Sequence, residues 1–261
     1  MDLLNALFRW LHILTGIVWI GMLYFFNFVN GPFAGALDAD TKKKVVPELM
    51  PRALFWFRWG AAWTWITGVC LLGLVFYMEK TQMFGSEGDW SGGAGAMVLL
   101  VFVAPFIYDA LQKSPLGKDP KMFGALAFVL ATSAVALMAT WAGFTYRAFN
   151  IHLAALFGTI MAFNVWFRIW PAQQVIIKGV KGDGPAADPA LVAMAAGRSR
   201  HNTYMSVPLL WGMINQHTTA FAGGNFGITG TTSFVIYPVM ILIGWHVVWQ
   251  LYKRAPKVKG F

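Results

Sequence analysis

Residues 201–252 contain no Asp, Glu, Lys or Arg. A helix crossing the hydrocarbon core of a bilayer needs about 20 mostly apolar residues, so a charge-free run of this length exceeds one crossing. Gly223, Gly224, Gly227 and Gly230 interrupt its middle and divide it into spans at about 200–217 and 232–252. Other apolar stretches predict spans at about 4–28, 54–78, 92–112, 122–144 and 149–170, which makes seven. The runs are continuous rather than alternating, which excludes a transmembrane β-barrel. The expected fold class is therefore all-α, a polytopic transmembrane helical bundle forming one integral membrane domain. Charged residues make up 12% of the chain, against about 25% in a soluble domain. That is too few to cover a water-facing surface, and it disfavours a soluble enzyme or a disordered chain. The net charge of +9 forms no basic stripe, so no nucleic-acid partner is expected. The single cysteine, Cys70, excludes an internal disulfide framework and any Cys-based zinc or iron–sulfur site.

The distribution of Lys and Arg orients the spans. The N-terminal side carries three, Arg9, Lys80 and Arg147, and the opposite side carries the other seventeen of the 20. The N-terminus is expected outside and the C-terminus in the cytoplasm, with the basic excess facing anionic lipid. The first span is too long for a cleaved signal peptide and lacks its basic leader. The longest polar connections, about 29–53 and 171–198, fall on the cytoplasmic side, and Gly182, Gly184, Pro185 and Pro189 predict a linker in 171–198. Gly16, Gly21, Gly68 and Gly73 are expected to let helices approach closely.

Ionisable groups inside a membrane are costly and mark functional sites. Threaded through the spans, His12, His152 and His217 form an outer tier, and His201 and His246 an inner one. Imidazoles in two tiers on facing helices can hold two haems across a bilayer. The metal-ligand expectation is His12 with His152 outside and His201 with His246 inside; His217 is a third outer candidate. A zinc or iron site would want a carboxylate or a third close ligand, and Asp109 is the nearest acid to any span. Copper stays open through the thirteen Met, although these are scattered and suit core filling. A proton path would want mid-membrane Asp or Glu. Arg58, set among Trp56, Trp59, Trp63 and Trp65, and Arg200, beside the inner tier, are candidates for haem propionates; Arg168 and Arg198 are expected to snorkel. Asn27, Asn150, Asn164, Asn215 and Gln216 are expected to make interhelical hydrogen bonds.

The run Ser199-Arg200-His201-Asn202-Thr203-Tyr204-Met205-Ser206-Val207-Pro208, followed by Trp211, Met213-Ile214 and His217, resembles a signature of the bacterial membrane-bound urate hydroxylases, the urate oxidase N-terminal membrane domain. Trp10-Leu11-His12-Ile13, then Gly16, Trp19-Ile20-Gly21 and Asn27-Phe28, is similar to the first span of that family. The resemblance implies a multi-pass protein of the bacterial inner membrane that oxidises urate to 5-hydroxyisourate and passes electrons to cytochrome c. It implies a short form, since this sequence carries no Cys-x-x-Cys-His attachment motif; the acceptor would then be a separate periplasmic or membrane-bound cytochrome c.

Urate is a planar anion, and its site wants a cation, hydrogen-bonding groups and an aromatic face. Arg200, Asn202, Thr203 and Tyr204 supply those types and are the expected catalytic residues, with His201 between substrate and membrane. Two further readings stand beside this one. The first is a dihaem cytochrome b subunit of a respiratory complex without substrate chemistry of its own. The second is a carrier for a purine-like anion, with 223–230 as a re-entrant segment.

Overall fold

The computed structural model describes residues 2–218, 220 and 230–259. Among them there is no β-strand. The helices are α1 (Asp2–Tyr24), α2 (Gly31–Ala36), α3 (Ala39–Leu72), α4 (Lys80–Phe84), α5 (Gly92–Lys113), α6 (Pro120–Thr140), α7 (Tyr146–Asn164), α8 (Trp170–Lys181), α9 (Pro189–Asn215) and α10 (Ile236–Arg254). The fold class is all-α, as expected. Gly223, Gly224 and Gly227 lie outside the described residues, and so does most of the expected re-entrant segment.

Among the described residues, six helical stretches are long and apolar enough to cross a membrane: Asp2–Ala36, Ala39–Tyr77, Gly92–Lys113, Pro120–Thr140, Tyr146–Lys181 and Ser233–Lys257. The expected sixth span, about 200–217, covers the later part of α9 and the first two residues of the turn after it. Arg198, Arg200, His201 and Asn202 make that helix more polar than the other six. The chain is a multi-pass membrane protein. Its exterior fits that setting: Leu3, Trp10, Ile17, Leu99, Phe106 and Phe167 are each more than half exposed. Apolar surface on this scale is stable against lipid and adhesive in water.

Among the described residues, three stretches wind as π-helix: Phe25–Asn30, Gly73–Tyr77 and Val165–Ile169. Each continues an α-helix without a break, so Asp2–Ala36, Ala39–Tyr77 and Tyr146–Lys181 are long rods with one widened turn apiece. A π turn inserts an extra residue and redirects the side chains around it, commonly at functional sites. The connection expected at 29–53 is therefore mostly helical. So is 171–198, where only 182–188 lies between α8 and α9. Gly182, at φ 91°, closes α8 by adopting a left-handed conformation. Side chains start two other helices: Ser91 accepts from the Ala94 amide at 3.1 Å, and Asp119 accepts from Lys121 at 2.8 Å just before Pro120.

The chain forms two compact units. The first comprises Met1–Asn5, Gly68–Ile160 and Ser206–Trp245. Its core holds Phe76, Met83, Val101, Val135, Met138, Phe149, Leu153 and Tyr237. A close crossing occurs at Gly212, where an added Cβ would lie 2.7 Å from the Asn150 carbonyl oxygen and 2.8 Å from Ala154. The second unit comprises Ala6–Thr67, Met161–Met205 and His246–Phe261. Trp19, Leu23, Leu54, Phe57, Ala61, Met161 and Val248 are buried there. Its close crossing is at Gly60, whose missing side chain lets the Trp19 backbone nitrogen come within 3.1 Å of where a Cβ would sit. Of the glycines expected to play this part, Gly16 makes only ordinary contact with Thr64, and Gly21 and Gly73 have open space beside them.

Candidate functional site

In the second unit, α9 and α10 bring polar side chains to the π turn Phe25–Asn30. The Tyr252 hydroxyl lies 2.8 Å from Asn27 Oδ1 and 3.2 Å from the Thr203 hydroxyl. Asn27 donates through Nδ2 to Ser199 Oγ and to the Leu23 carbonyl, both at 2.9 Å. Those two acceptors orient the amide, so its oxygen is the atom left for Tyr252. The Tyr252 ring stacks on Tyr204 at 6.0 Å and 18°, and meets Phe28 edge-on at 5.1 Å. The Arg200 guanidinium lies 5.0 Å from the Tyr252 ring centroid. Arg200 is exposed and has no carboxylate partner among the described residues. The result is a cation on an aromatic platform, next to hydroxyl and amide groups.

Three of the four expected catalytic residues, Arg200, Thr203 and Tyr204, gather here. Thr203 is buried and donates to the Ser199 carbonyl at 3.1 Å. The fourth, Asn202, faces another way. It is fully buried, accepts from Asn164 Nδ2 at 2.9 Å and donates to the Met161 carbonyl at 3.0 Å. Arg198 joins that buried group, 3.4 Å from Asn164 Oδ1. At 4% exposure it does not snorkel, because an amide partner is available inside the unit. Tyr252 is absent from the sequence expectation, as it closes a charge-free run with no motif around it. Asn27 was expected to make an interhelical hydrogen bond, and it does.

The histidines differ in setting. His12, in the second unit, points Nδ1 at the Thr64 carbonyl at 2.9 Å, with the Thr67 hydroxyl at 3.2 Å. A carbonyl only accepts, so Nδ1 carries the proton and Nε2 keeps its lone pair. His152, in the first unit, does the same through the Ala148 carbonyl at 2.7 Å. Its Nε2 is buried and makes no hydrogen bond. Phe144, Tyr77 and Phe76 surround the ring at 4.9, 5.6 and 5.8 Å, and the Tyr77 hydroxyl is likewise buried without a partner. The π turn Gly73–Tyr77 supplies two of those three rings. His246 is exposed on α10, and its Nε2 lies 3.2 Å from the Gln250 amide nitrogen. His201 is half-buried on α9, and His217 is exposed in the turn that follows it. No group of three or more His, Cys, Asp or Glu side chains gathers among the described residues.

Arg58 lies against the third π turn. Its guanidinium sits 3.9 Å from the Trp170 ring centroid and 5.9 Å from that of Trp166, whose indole donates to the Arg58 carbonyl at 3.0 Å. Nε and Nη1 are buried without hydrogen bonds, so the aromatic faces are their main stabilisation. Asp109, the acid nearest a span, is 7% exposed and paired with Lys113 at 2.8 Å.

The model of the family described as urate oxidase N-terminal matches residues 33–257. The chain belongs to this family. No curated protein and no solved structure matches it. The matched range holds the α9 signature, Arg58, Tyr252 and every histidine except His12. Within this urate oxidase N-terminal chain, the two polar features that stand out are the half-open Arg200–Tyr252 cluster and the closed aromatic surround of His152.

Proposed function

We propose that this chain is a urate-oxidising enzyme of the bacterial inner membrane that passes electrons to a separate cytochrome c. The observation that carries the reading is the exposed Arg200 on its tyrosine platform, with no acid partner among the described residues, in a chain of the urate oxidase N-terminal family. The reaction adds one oxygen from water to urate and releases two protons and two electrons, giving 5-hydroxyisourate. Two ferric cytochrome c molecules take the electrons. Arg200 pairs with the urate anion, and Tyr204 offers a flat face for the ring. Thr203 and Tyr252 hold that face in place. The cluster lies on the cytoplasmic side if the basic residues orient the chain.

Haem b fits the donor pattern of His12 and His152: each has Nδ1 fixed by a carbonyl and Nε2 free to act as a ligand atom. The orphaned Nε2 of His152 is the sharper of the two, because a buried polar atom without a partner costs free energy unless something binds it. His201 and His246 are proposed as the inner ligands, two haems per chain in all. Bound haem supplies one-electron transfer. The residues' own part is to fix imidazole orientation, by Thr64 and Thr67 for His12 and by Ala148 for His152.

The test is a reduced-minus-oxidised visible spectrum of the detergent-purified chain, with a haem count, before and after urate. Two b-type haems reduced by urate, with 5-hydroxyisourate released, are expected. Haem that responds to dithionite and ignores urate would make the chain an electron-transfer subunit of a respiratory complex. Absence of haem together with urate uptake into liposomes would make it a carrier.

A further inference from the structure

We infer that Tyr252 is the positioning residue of the Arg200 site and that Asn27, through the π turn Phe25–Asn30, sets the angle of Tyr252. The inference rests on the proposed urate chemistry and adds two residues to it. Arg200 is long and exposed and has no acid partner among the described residues, so none of them fixes it ionically. An arginine free to rotate loses much of its value as a planar binder, since it must be ordered each time an anion arrives. Its guanidinium instead rests against the Tyr252 ring, 5.0 Å from the centroid. That ring is itself held on all sides. Its hydroxyl is fixed by Asn27 and Thr203, one edge by Phe28, and one face by Tyr204.

The chain of restraint continues outward. Asn27 uses both amide hydrogens, one on Ser199 and one on Leu23, so its oxygen can point in only one direction. Ser199 precedes Arg200 on α9, and its carbonyl also takes the Thr203 hydroxyl. Residues from the π turn and from α9 therefore converge on one phenol carried by α10. Asn27 and Phe28, adjacent in the widened turn, both reach it, Asn27 at the hydroxyl and Phe28 at the ring edge. Tyr252 need not touch substrate to act: it sets where the guanidinium rests before an anion binds.

The experiment is urate-dependent reduction of ferric cytochrome c by the full chain in detergent, comparing Y252F, Y252L, R200Q and the R200Q/Y252L pair. Y252F keeps the ring and loses the hydroxyl; its KM for urate should rise about 3- to 10-fold, the worth of one hydrogen bond, with kcat within about two-fold. Y252L loses the platform too and should raise KM further. On the R200Q background Y252L should add little, because both changes remove one interaction. A size-exclusion profile guards against misfolding, and Y252F stands as the conservative variant if Y252L does not fold. Equal cost of Y252L with and without Arg200, or a KM unchanged in both variants, overturns the inference and leaves the urate reading intact. An unaltered chain that neither binds nor oxidises urate overturns both.

Discussion

The surroundings of His152 in the first unit and of Arg200 in the second use the same device to opposite ends. At His152 the π turn Gly73–Tyr77 supplies two of the surrounding rings, and at Arg200 the π turn Phe25–Asn30 braces Tyr252, the ring beneath the cation. Around His152 the rings close completely and leave a lone pair with no donor. Around Arg200, Tyr252 and its stacking partner Tyr204 form a floor and leave the cation open. A buried imidazole lone pair is useful to an electron-pair acceptor such as a metal centre, and its neutrality suits a dry site. An exposed guanidinium is useful to an anion arriving from water. The difference separates a place suited to holding a permanent group from a place suited to a visiting one.

The largest effect that would break this contrast is at His152. His152→Phe adds one more ring to an aromatic surround and removes the orphaned nitrogen. If the nitrogen is a ligand atom, one haem signal disappears from the spectrum of the purified variant. A wild-type spectrum with a raised thermal midpoint would mean that Nε2 is simply an unsatisfied group, whose removal relieves about 1–3 kcal/mol of desolvation.

Next in size is Arg200→Gln. A charge-assisted hydrogen bond is worth about 1.5–3 kcal/mol, so kcat/KM for urate should fall by about 10- to 150-fold. The haem spectrum should not change. Arg200→Lys should fall between, as it keeps the charge and loses the planar stack on Tyr252. Equal turnover in all three proteins would remove Arg200 from the site.

A third test separates two residues that stand side by side in the signature. Asn202 is one position from Thr203, but its amide is spent on Asn164 and the Met161 carbonyl. Asn202→Ala strands both partners in a buried setting and should cost about 1–3 kcal/mol of stability. In the fraction that folds, KM for urate should stay near wild type. A KM shift comparable to that of Arg200→Gln would return Asn202 to the catalytic group.

Six apolar helices were legible because lipid imposes one crude demand, about 20 apolar residues in a row, and charge-free runs advertise it. Helix α9 was legible as a helix and as a signature, yet its polar N-terminal half sets it apart from the six apolar stretches. What the sequence concealed is geometry that costs nothing in composition. Gly60 and Gly212 mark the close crossings, and nothing in their neighbours distinguishes them from Gly21. The π turns use ordinary residues and leave no periodic trace over a single turn. Arg200, Thr203 and Tyr204 could be grouped because they are adjacent in the chain. Asn27 and Tyr252 could not, since they meet only through folding. Asn202 shows the converse: adjacent to Thr203 in sequence, it turns into a buried amide cluster, which Arg198, expected to snorkel, also joins.

The smallest expected effect concerns the outside of the first unit. Lys80 and Asp89 pair at 2.6 Å between α4 and α5, with both side chains more than half exposed. The hydrogen bond from Lys80 holds the Asp89 carboxyl below its ordinary range, with the Trp90 amide assisting. A carboxyl lowered by folding contributes fully above its unfolded pKa, and the contribution fades as pH falls through the folded value. Asp89→Asn should therefore leave the thermal midpoint nearly unchanged at neutral pH, where water and salt already screen the pair. It should also flatten whatever acid-side loss the pair causes, and added salt should erase the remaining difference. A large drop at neutral pH would mean that this exterior loop, rather than the aromatic packing around His152, holds the first unit together.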